Sequence, residues 1–366
     1  MRSNTKPEYR IDIIRNHVKI GEIHPDSCTI SYKENSEVMR TMKTRVQTWQ
    51  YDIGEMLTKM PGGEKKYTGV DGEWSSTSTK FDMFSDRLRP ILKTDGNEYD
   101  FGDFIVIAAP KTNDGKVEYY DLETYDETMI LKQAALTSRR YCPAGSKYLS
   151  IVGELLTDCG VTNVIQDSSD LAITVDREWA VGTTYLSIAN TLLGEIGYAP
   201  VHAGSHGYIY VTRNAVKTSG DYSYNDSNST ISGSVVNDTD IYSLPNVIVG
   251  YVSNPDINVP LISKKENNNI NSQISIQRRG YKVVQAKQFD DCPDQETLDI
   301  IVSNYYLEAS QATESVKLST LPDGYHDYGT YAAIQIGDES HLYRETEWTM
   351  KFGGLMSHKM ERKVLV

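Results

Sequence analysis

The sequence predicts an α+β protein, mainly β, in which two strand-rich regions flank a small α/β insert. Apolar and polar residues alternate through much of the chain before residue 140 and after residue 235, as in half-buried strands. Between these regions the apolar spacing changes to that of a helix. A chain of 366 residues is long enough for about two or three domains, and we place them at 1–135, 136–215 and 216–366.

Strand patterns dominate the first region. A polar, glycine-rich stretch at 61–80 interrupts them, and Pro90 is expected to end the short helix that follows it. The turn Asn113-Asp114-Gly115 predicts a β-hairpin around it. The predicted elements are strands at 9–13 and 28–32, a helix at 81–88 and a hairpin at 104–124.

The insert contains nearly the same helix twice. Residues 145–164 and 182–201 agree at 9 of 20 positions, where ordinary usage gives roughly one or two. Each copy has one apolar stripe, a hydroxyl residue before it and a glycine after it, Gly160 or Gly197, suited to the C′ position. We predict that both helices cover one small sheet; a ligand cleft between them is the alternative. The strands are placed at 161–165, 171–175 and 208–212.

The last region returns to strands after a Ser/Asn/Gly-rich connection at 217–234. One helix interrupts it near 294–313, with Pro293 at its start. Even-numbered residues from 342 to 352 alternate with polar neighbours, and Gly353-Gly354 then predicts a closing hairpin. Further strands are predicted at 247–252, 281–286, 316–318 and 332–336.

The composition argues against several classes of protein. The formal charge is −13, and the basic pairs Arg139-Arg140 and Arg278-Arg279 stand alone, so we expect no specific nucleic-acid binding. No apolar run approaches the roughly 20 residues that span a bilayer, and residues 1–20 lack the apolar core of a secretory signal. We therefore expect folding in a cytoplasm without a membrane anchor.

Tyrosine is unusually frequent, with 25 residues against six phenylalanines. A tyrosine ring buries apolar area while its hydroxyl stays wet, which suits half-buried strands and protein interfaces better than a deep core. The excess favours assembly with other chains.

A search for catalytic motifs identifies no candidate residue. His202 and His206 lie in HAGSH, whose glycine argues against a helical metal pair, and His326 and His341 are expected to be solvated. PDGYHDYG at 322–329 lacks the spacing of a calcium loop, and the four cysteines indicate buried free thiols. A carboxylate pair for sugar hydrolysis stays open, although no pair has an apolar setting. We expect no enzyme, and no catalytic, cofactor-binding or metal-binding residue.

The order of motifs resembles that of bacteriophage tail baseplate hub proteins. The resemblance covers nearly the whole chain and rests on five segments. This family caps the distal end of the tail tube in siphophages, contractile phages and phage-tail-like bacteriocins. The segments are FSDRLRP, FGDFIVIAAP…GKVEYYDLETYD, KYLSIVGELLTDCG, WAVGTTYLSIANTLLGEIGY and VKLSTLPDG…MKFGGLMSHKMERKV.

The resemblance implies a homotrimeric ring in which each chain contributes two similar antiparallel β-barrels, so that six barrels meet a hexameric tail tube. It also implies a location in a virion tail or tail-like particle assembled in the bacterial cytoplasm. The implied partners are the tail tube or distal tail protein, a central spike or needle, other baseplate proteins and a tape-measure protein. Because this chain ends at Val366, we expect membrane-piercing or wall-degrading activity to reside in another chain.

Two other classes stay open. A carbohydrate-binding tail module would use the tyrosines to stack sugars and would bind cell-wall polysaccharide as a monomer. A cell-wall hydrolase component would need a catalytic group that the sequence does not reveal, and would clear host walls as a purified chain. Whether the particle is contractile, and whether it is a phage or a bacteriocin, also stays open.

Overall fold

The computed structural model describes residues 7–47, 81–113, 115, 117–214, 216–225, 234–237, 242–252, 260–309, 312–336 and 339–364. The polar stretch predicted at 61–80 and the middle of the connection, 226–233, lie outside these residues. The described chain is mainly β, as predicted. Among its helices, none combines the length and the apolar character that a bilayer crossing requires.

In the first region, the hairpin prediction is confirmed, because β7 and β8 both pair antiparallel with β9. The helix predicted at 81–88 is wrong. Residues 81–86 form a turn, and a strand that contains Pro90 follows, with Pro90 paired opposite Ile11. Eight residues are too few to distinguish helical from strand periodicity in the sequence. Pairing with the first strand of the chain makes this segment a strand. The elements are β1 (Glu8–Arg15), β2 (Val18–Ile23), β3 (Ser27–Lys33), β4 (Arg40–Gln47), β5 (Arg87–Thr94), β6 (Asn97–Asp100), β7 (Phe104–Ala108), β8 (Lys111–Asn113), β9 (Glu118–Asp126) and α1 (Thr128–Gln133).

In the insert, both predicted helices form and contact each other. Their stripes share one buried core with the strands, and Gly160 and Gly197 have the left-handed φ of 74° and 71°. The strand predicted at 171–175 is wrong, since only Ala172 makes a bridge, to Lys147. The elements are β10 (Arg140–Cys142), α2 (Tyr148–Asp158), β11 (Val164–Gln166), β12 (Arg177–Trp179), α3 (Tyr185–Glu195), β13 (His202–Ala203), a 3-10 turn (Ser205–Gly207) and β14 (Ile209–Val211).

In the last region, the closing hairpin is confirmed as β22 and β23. The predicted helix extends too far at its C-terminal end: the described helix is Gln295–Ala309, and Ala312 and Thr313 already belong to a strand. The elements are β15 (Tyr222–Tyr224), β16 (Ser234–Asn237), β17 (Val247–Val252), β18 (Ile262–Glu266), α4 (Ile276–Arg279), β19 (Val284–Phe289), α5 (Gln295–Ala309), β20 (Ala312–Thr320), β21 (Tyr331–Ile336), β22 (Glu339–Lys351) and β23 (Met356–Val364).

One large sheet runs through both strand-rich regions. Its main path is β16-β20-β23-β22-β3-β4-β9-β7-β5-β1-β2, and the antiparallel pair β22–β3 joins the end of the chain to its beginning. The pairings among the described strands do not close either region into a barrel, so the prediction of two barrels is not confirmed. Separate small sheets are β10–β12, β11–β14–β13 and β18–β17–β19.

The burial pattern corrects the interpretation of tyrosine. Four tyrosines are among the largest fully buried side chains, so part of the excess fills cores rather than interfaces. Three of the four cysteines are buried free thiols as predicted, while Cys159 is half-buried. The buried tyrosines are Tyr120, Tyr148, Tyr224 and Tyr343.

Candidate functional site

A buried group of three ionisable side chains lies at the loop between β20 and β21. Glu345 on β22 accepts one hydrogen bond at each oxygen: from Nδ1 of His326 at 2.8 Å and from Nδ1 of His358 at 2.6 Å. All three side chains are 0% exposed. We call these residues the His–Glu–His cluster. The expectation that His326 is solvated is therefore wrong, whereas His341 is partly exposed beside Glu339.

A β-bulge brings Glu345 inside. The register between β22 and β23 shifts between Glu345 and Glu347, so the buried face changes from odd-numbered to even-numbered residues there. Tyr343 and Glu345 are buried before the bulge, and Trp348 and Met350 after it. Simple alternation places Glu345 on the outer face, which is why the sequence did not reveal it.

The cluster contains a buried ion pair. Burial alone would lower the pKa of His326, but the charge of Glu345 and hydrogen bonds to Asp323 and Glu345 outweigh it and raise the pKa. Burial alone would raise the pKa of Glu345, yet His326 and the bond from His358 hold that pKa below its usual range. Both ring nitrogens of His326 face carboxylate oxygens, of Glu345 and Asp323, and this geometry favours an imidazolium paired with the Glu345 carboxylate.

The same residues form the one cluster in the described part of the chain with the geometry to hold a metal ion. Their N···O separations of 2.8 and 2.6 Å are hydrogen-bond lengths, whereas ligands of a tetrahedral zinc lie roughly 3.3 Å apart. The remaining ring nitrogens also have partners: Thr320 Oγ1 lies 2.9 Å from His358, and Asp323 lies 3.4 Å from His326. The arrangement therefore fits hydrogen bonds among these side chains better than a bound metal ion.

Aromatic rings seal the cluster. Tyr222 stacks on His326 with ring centroids 4.6 Å apart, and Tyr224 lies against His358. Trp348 donates from Nε1 to the carbonyl of His326 at 3.1 Å. The cluster is thus shut off from any substrate, and its effect is to hold the 322–329 loop in place.

Beside it, Arg40 on β4 connects the two strand-rich regions. Its guanidinium donates to the carbonyls of Phe101 at 2.9 Å and His326 at 3.2 Å, and it pairs with Asp327. Asp327 also accepts hydrogen bonds at 3.0 Å from the backbone and hydroxyl of Ser205 in the insert. Burial would raise the pKa of Asp327, but Arg40 and Ser205 lower it. We call this group the Arg40 junction.

The insert is also held by close backbone contact. The 3-10 turn lies on residues 102–103, where a Cβ on Gly102 would come within 2.4 Å of the Gly204 carbonyl. A Cβ on Gly207 would lie 2.2 Å from the Asp103 carboxylate, which Arg89 binds at 2.7 Å. The insert and the large sheet are therefore joined by a contact with no room for side chains.

The two histidines of HAGSH have separate roles here. His202 is buried, its Nδ1 lies 2.8 Å from the Pro200 carbonyl, and burial lowers its pKa to about 4. His206 is half exposed, and its backbone N–H donates to Asp100. Neither residue takes part in a His/Cys/Asp/Glu cluster with metal-binding geometry in the described chain.

Comparison with known proteins gives matches in structure only. No protein-family model and no curated protein sequence matches the chain. A tail protein from Neisseria meningitidis MC58 aligns with a TM-score of 0.64 and 8% identity over 97% of this chain and 96% of that one. The 43 kDa tail protein of prophage MuSo2 from Shewanella oneidensis aligns at 0.59 and 8% identity over 97% and 98%.

A third solved structure, the Francisella PdpA–VgrG complex, contains a chain that aligns with a TM-score of 0.51 and 9% identity, over 97% of this chain and 53% of that one. The first two alignments span both chains nearly from end to end, so the likeness includes both strand-rich regions and the insert. The chain therefore has the fold of these tail proteins, as its resemblance to baseplate hub proteins predicts.

Proposed function

We propose that this protein is a structural hub of a phage tail or phage-tail-like particle, where three copies form a ring between the tail tube and a central spike or needle. The observation that carries the proposal is the end-to-end likeness to two tail proteins, one of them from a prophage. The likeness to a chain of the PdpA–VgrG complex also favours a place in an assembly of several proteins.

The internal geometry favours a load-bearing part over an enzyme. The side chains of the His–Glu–His cluster are 0% exposed and cannot touch a substrate. The Arg40 junction and the glycine contact instead fix three parts of the chain to one another. A rigid protomer is what a ring under mechanical load requires.

Three-fold symmetry follows from the partners in this proposal. A hexameric tube meets a ring of three chains if each chain presents two similar positions, and we assign these to the two strand-rich regions. The division at 135/136 and 215/216 belongs to the same proposal. Tail-tube, distal tail, spike, baseplate and tape-measure proteins would then be the neighbours.

Native mass measurement of the purified chain, alone and with tube or spike protein, tests the proposal. We expect three copies in the assembled species and a ring with three-fold symmetry by electron microscopy. A monomer within a purified particle would refute the ring. Binding of the isolated monomer to cell-wall polysaccharide would favour the carbohydrate-binding class, and clearing of host walls would favour the hydrolase class.

A further inference from the structure

Helix α5 covers one face of the small sheet β18–β17–β19. Helix α5 packs so closely on it that a Cβ on Gly250 would come within 2.3 Å of Val302. The register places Ile262 of β18 and Val284 of β19 on the other face, at opposite ends of β17. Both are more than half exposed, and every residue of β19 before Phe289 is exposed. Among the residues that the structure describes, this sheet therefore has exposed positions on its second face and along β19.

Opposite charges lie at the two ends of the small sheet. Residues 260–289 contain six basic residues and a single acidic one, and residues 290–299 contain five acidic residues and no basic one. At the end near Val247, the ammonium of Lys282 is 2.8 Å from Glu266, which Lys264 binds as well. The pair Arg278-Arg279 lies on α4, in the segment that connects β18 to β19.

Exposed apolar residues accompany the charges at both ends. Tyr281 and Val284 are 54% and 56% exposed beside the basic residues. Ile300 is 55% exposed on α5, next to the acidic residues at its start. We define the cationic end as Arg278, Tyr281, Lys282 and Val284, and the anionic end as Asp294, Glu296 and Ile300.

We propose that the cationic end of one copy docks on the anionic end of the next copy, giving the head-to-tail contact of the ring. This inference rests on the proposed function. Two different surfaces of one chain that complement each other in charge make a heterologous contact, and such contacts close into rings. Apolar residues with a charged rim are the usual make-up of a protein interface. The six residues of β17 separate the two ends by roughly 20 Å, so one copy can use both at once.

Charge reversal tests the contact. We expect Arg278→Glu and Glu296→Lys each to weaken ring formation at least about tenfold, because each places like charges together. The combined variant Arg278→Glu/Glu296→Lys restores opposite charges and should return to within about threefold of wild type. Lys43→Glu, 74% exposed on β4, is the charge-matched control and should assemble normally. Sedimentation velocity over a concentration series measures each constant, and thermal melting checks that the exposed substitutions leave the fold intact.

A second measurement does not depend on charge. Oxidation of Tyr281→Cys/Ile300→Cys should link copies into covalent dimers and trimers, while either single variant should not. Rings that form equally well in all charge variants, or a combined variant as weak as the single ones, would overturn this contact but leave the ring standing. A wild-type chain that stays monomeric at every concentration, alone and with its tube or spike protein, would overturn both.

Discussion

Replacing the buried carboxylate of Glu345 by an amide should strongly lower the stability of the fold around it. Glu345→Gln keeps the shape of the side chain but removes its charge, so the imidazolium of His326 loses its main partner inside the protein. His358 also faces an amide in place of a carboxylate oxygen, 2.6 Å from its Nδ1. All three side chains are 0% exposed, so water cannot replace the lost partner.

Removing one partner of a buried ion pair costs about 3–5 kcal/mol, because an uncompensated charge is left in a medium of low dielectric constant. We expect a loss in this range for Glu345→Gln. Glu347→Gln, two residues along the same strand, is the matched control. Its carboxylate is 40% exposed and lies 3.8 Å from Lys33 and Lys359, so the loss should stay within about 0.5 kcal/mol.

Native-state hydrogen exchange of the β22–β23 hairpin is the appropriate assay, because a chain of this size need not unfold in one step. The amides of Trp348 and Met350 should report the local free energy of opening. A difference below about 1 kcal/mol between Glu345→Gln and wild type would refute the view that the ion pair holds this hairpin.

The effect of pH has a definite sign. His326 has a raised pKa in the folded state, so its stabilising contribution is complete below its ordinary value of about 6.5 and is lost as pH rises towards the folded value. Glu345 has a lowered pKa, so its contribution is complete above about 4.5 and is lost as pH falls towards the folded value. The difference between wild type and Glu345→Gln should be largest between about pH 4.5 and 6.5 and shrink above it. A difference that grows from pH 7 to 9 would contradict this assignment.

Three further predictions concern other parts of the molecule. Leu155→Ala and Leu192→Ala, at matching positions of α2 and α3 and both 0% exposed, should each cost about 2–5 kcal/mol by urea denaturation, and losses under roughly half a kcal/mol would contradict the shared core. Gly207→Ala should loosen the insert, which faster hydrogen exchange at residues 202–211 would show. Gly160 also has a positive φ but has open space around it, so Gly160→Ala should lower the free energy of unfolding by only about 1 kcal/mol. The channel wall of the ring should be neutral or negative, given the net charge of −13, so tight DNA binding at physiological salt would refute it.

The local sequence determined the elements whose signals are short-ranged. The two helices of the insert were predictable because an apolar stripe at helical spacing ends at a glycine, and in both copies that glycine adopts a left-handed φ. The closing hairpin was predictable from alternation and the paired glycines. The order of motifs along the chain also indicated the fold of tail proteins, and two such structures align with this chain from end to end at 8% identity.

Tertiary structure alone decided where the chain's ends meet and which polar groups are buried. Pairing of β22 with β3 joins residues more than 300 positions apart, and no local signal encodes that choice. Pro90 lies in a strand because β1 pairs beside it. One extra residue at the bulge reverses the inward face of β22, so Glu345 enters the core and meets His326 and His358. A bulge depends on the strand that lies opposite, and periodicity along one strand cannot reveal it.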